Sequence, residues 1–331
     1  MRFAVTGVTG FIGMHLVKFL MAQGHDVVYS CDTMTPIYGG NIAKARLLNL
    51  VPTDINFQIN DLANTDPIIL AHEIQDAEVV IHLAANAGVR QSALNPYEYS
   101  KSNLVAFSNV LEAVRLSKPK LFLFASSSSI YGQSTVAGPQ TESSATGLNL
   151  ASYYASTKWA NEILAMNIAK TFEINSVALR FFTVYGSYGR PDMAYWSFAE
   201  KVLNSETIGL YGSDGGSRSF SHVSDIVSMI EKLSKSNTLR SSLQSSSKHF
   251  EALNIGNENS VSTLEMLHIL GRQFNREPIF EISERPSFDV DKTWASMNKT
   301  YKYVERTEFL DLETGLQEFT GWFSTYFSGI N

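Results

Sequence analysis

The chain has 331 residues, of which 44% are hydrophobic and 18% charged, and its formal net charge is −6. These values are typical of a soluble globular protein with one large domain or two coupled domains. The acidic balance gives no reason to expect nucleic acid or an anionic membrane as a partner, although a few local cations would suffice to bind an anionic small ligand.

Short apolar runs alternate with helical periodicity through the first half of the chain. The apolar runs predict strands at 2–6, 26–31, 55–59, 78–83, 120–126 and 176–182. Helical patterns lie between them, near 11–23, 65–75, 97–117 and 151–173. Buried strands that alternate with amphipathic helices predict an α/β fold, a Rossmann-type doubly wound sheet of parallel strands covered on both faces.

The pattern loosens after Arg180, where glycines interrupt aromatic segments. We therefore predict a Rossmann-type domain over 1–182 and a smaller, mixed, substrate-binding domain that takes up most of 183–331. Some later segments, such as 253–256, are expected to return to the main sheet. The Ser-rich stretch 234–248 predicts a solvated loop or a frayed helix end.

A glycine-rich loop joins the first predicted strand to the first predicted helix. It reads Thr6-Gly7-Val8-Thr9-Gly10-Phe11-Ile12-Gly13. Glycines in this place permit a tight turn, close approach of the backbone to a pyrophosphate and close packing of helix on strand. The helix N-terminus adds unpaired N–H groups and the positive end of the helix dipole. The loop therefore predicts a dinucleotide site.

Acidic residues end the next two predicted strands. Asp32 follows the glycines by about 20 residues, where a carboxylate can accept from a ribose 2′-hydroxyl. Thr33 and Met34 come next, and neither is an arginine that would receive a 2′-phosphate, so NAD is favoured over NADP. The alternative interpretation of Asp32 is a turn-forming residue at a strand end. Asp61 could likewise reach the adenine.

Two later patterns supply catalytic groups. Strand 120–126 runs into a serine-rich segment, and hydroxyls at the carboxyl end of a parallel strand face the ligand crevice. Tyr154 and Lys158 are four residues apart on a predicted helix and so share one face. Lowering the pKa of a phenol by roughly 3 units takes about 4 kcal/mol. A nearby ammonium and a cationic nicotinamide are charges that could supply it. Each pattern alone is common in loops and on exposed helix faces, but their combination with the glycine loop indicates a redox site.

Together these motifs resemble the extended short-chain dehydrogenase/reductase family, in its nucleotide-sugar epimerase branch. The matching segments are Thr6–Gly13, His82-Leu83-Ala84-Ala85, Ser127 with Tyr131-Gly132, Tyr154 with Lys158, and Arg180-Phe181-Phe182-Thr183-Val184-Tyr185-Gly186. The resemblance implies that Ser127 and Tyr154 hold the sugar hydroxyl, with Tyr154 as the base, and that Lys158 binds the nicotinamide ribose and lowers the Tyr154 pKa. The NAD-binding positions that it implies are Gly7, Gly10, Phe11, Ile12, Gly13, Asp32, Asp61, Leu62, Leu83, Ala84, Ala85, Asn103, Tyr154 and Lys158.

Two segments are most similar to the UDP-glucuronate 4-epimerases, namely 85–92 and 180–194. This similarity implies that Thr183 and Arg190 contact a substrate carboxylate. An arginine fork suits carboxylate and phosphate alike, although any one arginine taken singly could be a surface residue. The substrate positions expected on this basis are Arg90, Ser127, Ser128, Ser129, Thr183 and Arg190, with Arg218 and Arg285 at the diphosphate and Asp289 at the nucleotide end.

The resemblance implies interconversion of UDP-glucuronate and UDP-galacturonate through transient oxidation at C4. The alternatives are a 4-epimerase of neutral sugars such as UDP-glucose or UDP-N-acetylglucosamine, a UDP-glucuronate decarboxylase or dehydratase, and a non-catalytic NAD-sensing protein. Related decarboxylases and dehydratases carry Glu or Asp where this chain has Ser129, which favours an epimerase. The segments 33–36, 219–222 and 286–289 depart from the family pattern and leave the sugar and the base open.

Cysteine and histidine usage bears on compartment and metals. The single cysteine, Cys31, excludes an internal disulfide framework and fits a reducing compartment. With no recognisable leader or long apolar span, the chain is expected to be cytoplasmic. The seven histidines are scattered without metal-ligand spacing, so no metal site is predicted. Helices 97–117 and 151–173 could pair across a two-fold axis, and a homodimer is expected, as in relatives.

Overall fold

The structure is a computed structural model that describes residues 1–34, 40–50, 55–132, 138–285 and 290–328. Its strands are β1 (Arg2–Thr6), β2 (Asp26–Asp32), β3 (Phe57–Ile59), β4 (Val79–His82), β5 (Leu121–Ser127), β6 (Ser176–Phe181), β7 (Thr183–Tyr185), β8 (Ile208–Tyr211), β9 (Ser217–Arg218), β10 (Phe220–His222), β11 (Phe250–Ile255), β12 (Val261–Ser262), β13 (Phe280–Ser283) and β14 (Lys292–Thr293). Its α-helices are α1 (Phe11–Ala22), α2 (Gly40–Leu50), α3 (Pro67–Ile74), α4 (Val89–Leu94), α5 (Pro96–Ser100), α6 (Ala106–Ser117), α7 (Tyr153–Phe172), α8 (Ala194–Asn204), α9 (Val223–Lys235), α10 (Asn237–Ser245), α11 (Thr263–Phe274) and α12 (Leu312–Ser328).

Seven of the described strands form one parallel sheet in the order β11-β6-β5-β4-β1-β2-β3. This is the doubly wound order of a Rossmann fold with one further strand, so the predicted fold class is confirmed. The strand order reverses beside β1, whose Thr6 pairs with His82 of β4. Ser127 at the end of β5 pairs with Phe181 of β6. The carboxyl ends of these strands therefore form one edge, where ligands bind in such sheets.

Apolar side chains cover both faces of the sheet, which explains why its strands read as continuous apolar runs. On one face, side chains of α1 and α9 pack on β1 and β4 around Phe3 and Ile81. On the other face, α3 and α6 pack around Phe107 and Phe122. Helix α9 and strand β11 come from the second half of the chain, so that half contributes to both the sheet and its cover.

The predicted strands and helices match the structure to within two residues at almost every end. One exception is the predicted helix 97–117, which is α5 and α6 joined by a π-helical turn, Lys101–Val105. The other is the Ser-rich stretch 234–248, for which the predicted loop or frayed end was wrong. There α10 forms, because Leu239 and Leu243 bury one face and the Ser236 hydroxyl accepts from the Leu239 N–H.

An aromatic cluster forms the core of the region beyond the main sheet. Helices α8, α11 and α12 pack together around Tyr185, Tyr195, Trp196, Phe319 and Phe323. Small two- and three-stranded sheets lie beside this cluster, among them the parallel pairs of β7 with β10 and of β8 with β13. The loop between β7 and α8 joins two elements that both contribute to this cluster, β7 through Tyr185 and α8 through Tyr195 and Trp196.

Candidate active site

The glycine loop is built for close approach of backbone atoms. Gly7 has a φ of +79°, and a Cβ there would lie 2.6 Å from the Ala84 nitrogen. A Cβ on Gly13 would lie 2.0 Å from the Gly7 carbonyl oxygen. Helix α1 thus begins directly against the loop, and its N-cap, Gly10, offers no side chain to the first N–H groups. These groups are available to an anion.

Asp32 and Asp61 both follow strands of the sheet, but their side chains have different partners. One oxygen of Asp32 accepts from the Thr9 N–H at 2.9 Å, which ties the carboxylate to the glycine loop. The Asp61 carboxylate accepts from the Ala63 N–H and forms an ion pair with Lys101 at 3.2 Å. Leu62, which directly follows Asp61, is buried in the core and only 3% exposed. The geometry suits Asp32 as a ribose acceptor better than it suits Asp61 as an adenine contact.

The segment after β4 is held by Asn103. The Asn103 amide oxygen accepts from the Asn86 N–H at 2.8 Å, and its Nδ2 donates to the Asn86 carbonyl oxygen and to the Thr157 hydroxyl. Asn103 lies in the π-helical turn, a distortion often found at functional sites. It therefore connects α7 to the half-buried segment Leu83-Ala84-Ala85, which faces the glycine loop through Ala84.

Ser127 and Tyr154 meet at the carboxyl edge of the sheet. A hydrogen bond from the Ser127 side chain lowers the pKa of Tyr154, and the Arg190 guanidinium lowers it further, but burial raises it by more than these oppose. The Ser127 hydroxyl also contacts Ser129, whose N–H donates to it at 3.1 Å. Ser128 begins the 3-10 turn that holds this hydroxyl cluster.

Lys158 stands beside Tyr154 with its ammonium 5.9 Å from the phenol ring centroid. The ammonium donates to the Ala125 carbonyl oxygen at 2.9 Å, and the residue is only 2% exposed. Burial lowers the pKa of Lys158 to about 8. A buried cation in this position gains from further acceptors, such as ribose hydroxyls.

A buried ion pair between Arg180 and Glu162 lies next to the candidate catalytic residues. Arg180 donates to both oxygens of Glu162, at 3.0 and 2.7 Å, and each side chain is 4% exposed. Ser126 donates to the same carboxylate, and Arg180 also donates to the Tyr131 hydroxyl, which bonds Asn254 of β11. Since Ser126 and Glu162 adjoin Ser127 and Lys158 along their elements, this network fixes the strand end and α7 relative to each other.

The predicted carboxylate-binding residues lie in β7 and in the loop that joins β7 to α8. Thr183 begins β7 and is half-buried. Arg190 forms a two-pronged ion pair with Asp192, at 3.0 and 2.6 Å. Because Arg190 acts on the Tyr154 phenol and Asp192 raises the pKa of that phenol, both lie within electrostatic reach of the candidate base.

Three other predicted substrate arginines gather near β8 and β9. Arg285 donates to the Tyr211 carbonyl oxygen at 3.0 Å, and the Arg90 guanidinium lies 5.6 Å from the Tyr211 ring centroid. A Cβ on Gly216 would lie 2.7 Å from Arg285 and 3.1 Å from Arg218. This convergence of cations suits a diphosphate. The predicted nucleotide-end residue, Asp289, lies outside the described residues.

NAD fits the residues at the sheet edge. The glycine loop is a cradle that side chains at Gly7 and Gly13 would fill, and the uncapped N-terminus of α1 opens from it. Asp32 stands at the loop, and the Lys158 ammonium stands at the end of β5. The candidate positions for ribose, phosphate and nicotinamide thus follow the ends of β2, β1 and β5 along the edge, in the order of these strands in the sheet.

The sequence predicts neither a membrane-spanning helix nor a metal site. Across the described ranges, no helix has both the length and the apolarity needed to cross a membrane. The same ranges hold no group of three or more His, Cys, Asp or Glu residues that could hold a metal ion. Cys31 is buried, and burial raises the pKa of its thiol to about 12, in line with an inert thiol.

Sequence reasoning missed residues that act only through tertiary contacts. Ser92 accepts from the Tyr154 N–H at 3.1 Å and donates to the Val89 carbonyl oxygen, so it anchors the first turn of α7. Glu162 and Asn254 belong to the buried network. Ser92 lies within segment 85–92, and Glu162 follows Lys158 by four residues. Neither position in the sequence indicates the tertiary contacts that these side chains make.

Comparisons with known proteins bear on the family of the chain. The model of the NAD dependent epimerase/dehydratase family matches residues 3–256. The chain is 33% identical over 337 residues to a probable UDP-glucuronate 4-epimerase of Rhizobium meliloti, covering 98% of this chain and 97% of the relative. It is 33% identical over 335 residues to Protein CapI of Staphylococcus aureus, covering 99% of each.

Among solved structures, the UDP-glucuronic acid 4-epimerase from Bacillus cereus, in complex with UDP-glucuronic acid and NAD, superposes with a TM-score of 0.88. The two chains are 27% identical, and the superposition covers 98% of this chain and 99% of that one. With a family model that matches most of the chain and relatives that match nearly all of it, this protein belongs to the NAD dependent epimerase/dehydratase family.

Proposed function

We propose that this protein is an NAD-dependent UDP-glucuronate 4-epimerase, which interconverts UDP-glucuronate and UDP-galacturonate. The observation that carries the proposal is the placement of the Lys158 ammonium 5.9 Å from the Tyr154 ring centroid, with Arg190 within electrostatic reach of the same phenol. A cation suited to a sugar carboxylate thus shares one site with a base suited to a sugar hydroxyl. Relatives and solved structures named as UDP-glucuronate 4-epimerases support the choice of substrate.

The proposed mechanism begins with a proton transfer. Ser127 holds the 4-hydroxyl of the sugar, and Tyr154 removes its proton while C4 is oxidised to a ketone. A bound NAD would supply the redox chemistry as the acceptor of the C4 hydride and, after the 4-keto sugar has turned over, as its donor to the other face. Lys158 binds the ribose and favours the phenolate by its charge. Tyr154 then returns the proton to the 4-oxygen of the epimer.

Arg190 and Thr183 are proposed to control the carboxylate of the intermediate. A 4-keto uronic acid is a β-keto acid, which loses CO₂ when its bond from C5 to the carboxylate aligns with the carbonyl π system. Two donors on the carboxylate hold it out of that alignment. Asp192 accepts from Nε and Nη2 of Arg190, at 3.0 and 2.6 Å, and so fixes the orientation of this guanidinium.

Ser129 supports epimerisation over elimination. It stands one residue before Ile130-Tyr131-Gly132 and its hydroxyl accepts from Ser127 at 3.1 Å. A serine there cannot exchange a C5 proton at neutral pH as a carboxylate can. The hydride exchange at C4 needs no such second acid.

These roles assign cofactor binding and substrate binding to different parts of the chain. Residues 1–182 are proposed to bind NAD and residues 183–331 mainly to bind the nucleotide sugar, with α9 and β11 returning to the main sheet. Arg90, Arg218 and Arg285 are proposed to bind the diphosphate, and Asp289 the nucleotide end. A cytoplasmic location is proposed from the buried free thiol of Cys31.

A homodimer is also proposed, formed by α6 and α7. These helices carry exposed apolar side chains at Leu116, Ile163, Leu164, Met166 and Phe172, and Val105 is exposed at the end of the turn that precedes α6. Clustered apolar side chains on neighbouring helices favour burial against a second copy.

The proposal is tested by incubating the protein with UDP-glucuronate and following the products by NMR. We expect UDP-galacturonate to accumulate to equilibrium without added reductant. Arg190→Met is expected to release a UDP-pentose and CO₂ and to raise KM at least about tenfold, as loss of a charged hydrogen bond would. Arg272→Met, which removes an exposed arginine paired with Glu313, is the matched control and should leave both unchanged.

Each alternative gives a different product. A UDP-pentose and CO₂ from the unaltered protein would identify a decarboxylase, and turnover of UDP-glucose but not UDP-glucuronate would identify a neutral-sugar epimerase. If Arg190→Met released no CO₂ and kept its turnover, the role of Arg190 would be wrong.

A further inference from the structure

Three consecutive carbonyl groups in the loop before Arg190 accept hydrogen bonds from side chains of the cofactor half. His15 on α1 donates from Nε2 to the Ser187 oxygen at 2.9 Å. Arg46 on α2 donates from Nε to the Tyr188 oxygen at 2.8 Å and from Nη2 to the Gly189 oxygen at 2.5 Å. Both side chains come from more than 140 residues earlier in the chain, and neither belongs to a motif that the function uses.

This stretch of loop has a backbone that needs such support. Tyr188 has a φ of 59°, a left-handed conformation that is unfavourable for a bulky residue. A Cβ on Gly189 would lie 1.7 Å from the Tyr195 hydroxyl, so the loop lies tightly on α8. Backbone strain of this kind costs about 1–3 kcal/mol and persists where the surroundings hold it in place. His15 holds the carbonyl group that precedes the strained residue, and the Arg46 fork holds the next two, those of Tyr188 and Gly189.

The donor groups of Arg46 and His15 are used in hydrogen bonds to this loop. Arg46 is 6% exposed, and a buried guanidinium is tolerated only when its hydrogen bonds are satisfied. Burial lowers the pKa of His15 to about 4, so its ring is neutral near pH 7 and its one N–H is the Nε2 donor. The His15 ring also packs edge-on against Tyr188, with ring centroids 6.3 Å apart.

The 187–189 loop lies between the start of α1, which borders the glycine loop, and Arg190, the candidate carboxylate-binding residue. His15 is one helical turn after Phe11 at the start of α1, and the two rings pack edge-to-face with centroids 5.7 Å apart. At the other end, Gly189 is followed directly by Arg190, whose carbonyl oxygen accepts from the Met193 N–H. Fixing 187–189 therefore fixes the point from which the Arg190 side chain extends toward Tyr154.

We propose that His15 and Arg46 are positioning residues that hold the 187–189 loop so that Arg190 meets the sugar carboxylate. They touch neither substrate nor reacting atoms and act through Arg190. This inference rests on the proposed function, because it assigns Arg190 to a carboxylate. It adds that the cofactor half of the chain determines how well the site discriminates uronic acids.

The test compares donor-deleting variants with donor-keeping ones. Arg46→Met removes both donors, and Arg46→Lys keeps a single cation that cannot form the fork. His15→Phe keeps an aromatic ring without a donor, whereas the side-chain amide of His15→Gln can still donate. Each purified holoenzyme is assayed for KM and kcat with UDP-glucuronate, for CO₂ released per turnover, and for UDP-glucuronate affinity by calorimetry. Arg272→Met and His72→Gln are the controls, since both residues are exposed.

We expect Arg46→Met and His15→Phe to raise KM and the dissociation constant for UDP-glucuronate about tenfold and to increase CO₂ release. UDP affinity should change less than twofold, because UDP has no carboxylate. His15→Gln should restore most of the loss, and Arg46→Lys only part of it. In an Arg190→Met background, Arg46→Met should have no further effect, since both changes remove the same interaction.

The inference is overturned if the effects of Arg46→Met and Arg190→Met multiply, or if UDP and UDP-glucuronate affinities fall together, since either result means that Arg46 only stabilises the fold. If Arg46→Met does not fold, His15→Phe in the two backgrounds decides. An unaltered protein that binds UDP-glucuronate without epimerising it refutes the proposed reaction, and the affinity ratios still decide this inference. An unaltered protein that does not bind UDP-glucuronate refutes both.

Discussion

At the scale of single residues, the chemistry depends on the protonation of Tyr154. Burial raises the pKa of this phenol, which opposes its use as a base near neutral pH. The Arg190 guanidinium and the Ser127 hydrogen bond act in the other direction but are smaller effects. If Tyr154 is the base, further positive charge is needed to stabilise its phenolate, and a cationic nicotinamide bound beside the Lys158 ammonium would provide it.

Tyr154→Phe isolates this phenol with little change in shape. We expect kcat for UDP-glucuronate to fall by at least about 100-fold, because general base catalysis contributes that much or more. Calorimetry should show NAD and UDP-glucuronate affinities within about threefold of the unaltered protein. Tyr153→Phe is the matched control, because Tyr153 is 40% exposed and its hydroxyl bonds Ser100. A Tyr154→Phe protein that kept its turnover would exclude Tyr154 as the base.

At the scale of elements, sequence periodicity located the sheet because its strands are buried on both faces. The strand from Leu121 to Ser127 was predicted within one residue at each end. Periodicity could not reveal the π-helical turn around Asn103, since that distortion comes from the contacts of Asn103 with Asn86 and Thr157. Nor could it reveal α10, whose serine-rich composition masks the two leucines that bury it.

The residues of the candidate site likewise divide into those that sequence motifs predict and those that only tertiary contacts reveal. Gly7, Tyr154 and Lys158 lie in short motifs whose spacing has a direct geometric meaning, so the sequence alone predicts them as site residues. Arg46 contacts a carbonyl group 142 residues away along the chain, and nothing local to Arg46 indicates this partner. Residues that position the catalytic groups through tertiary contacts therefore required the structure.

The junction of the glycine loop with α1 gives a prediction at this scale. Gly13→Ala would place a Cβ 2.0 Å from the Gly7 carbonyl oxygen, so α1 must move away from the loop. We expect NAD affinity to fall at least about tenfold and stability to fall by about 1–3 kcal/mol from overpacking. Gly321→Ala is the control, because its Cβ would meet no atom within 4 Å in α12, and it should raise stability by up to about 1 kcal/mol. Fluorescence titration with NAD and urea denaturation measure the two effects, and an unchanged NAD affinity in Gly13→Ala would contradict the assignment of the loop.

At the scale of the whole molecule, the two halves of the chain are interleaved. Strand β11 completes the main sheet beside β6, and Asn254 within it reaches Tyr131 in the buried network under the site. Helix α9 covers the sheet against α1. In the other direction, His15 and Arg46 of the first half hold the loop that leads to Arg190. The proposed substrate and cofactor regions therefore share residues that hold them in place.

The proposed dimer extends this argument to two copies, because α7 carries both the catalytic pair and the exposed apolar surface. Ile163 and Leu164 lie on the helix just beyond Lys158 and are 44% and 41% exposed. Leu164→Glu would place a charge in the interface, where an unpaired buried charge is strongly unfavourable. We expect sedimentation analysis to show a dimer for the unaltered protein and a monomer for Leu164→Glu. Ile279→Glu, at an apolar position that is 51% exposed outside these helices, should remain dimeric. A monomeric unaltered protein at micromolar concentration would contradict the dimer, and a Leu164→Glu protein that stayed dimeric would move the interface away from α7.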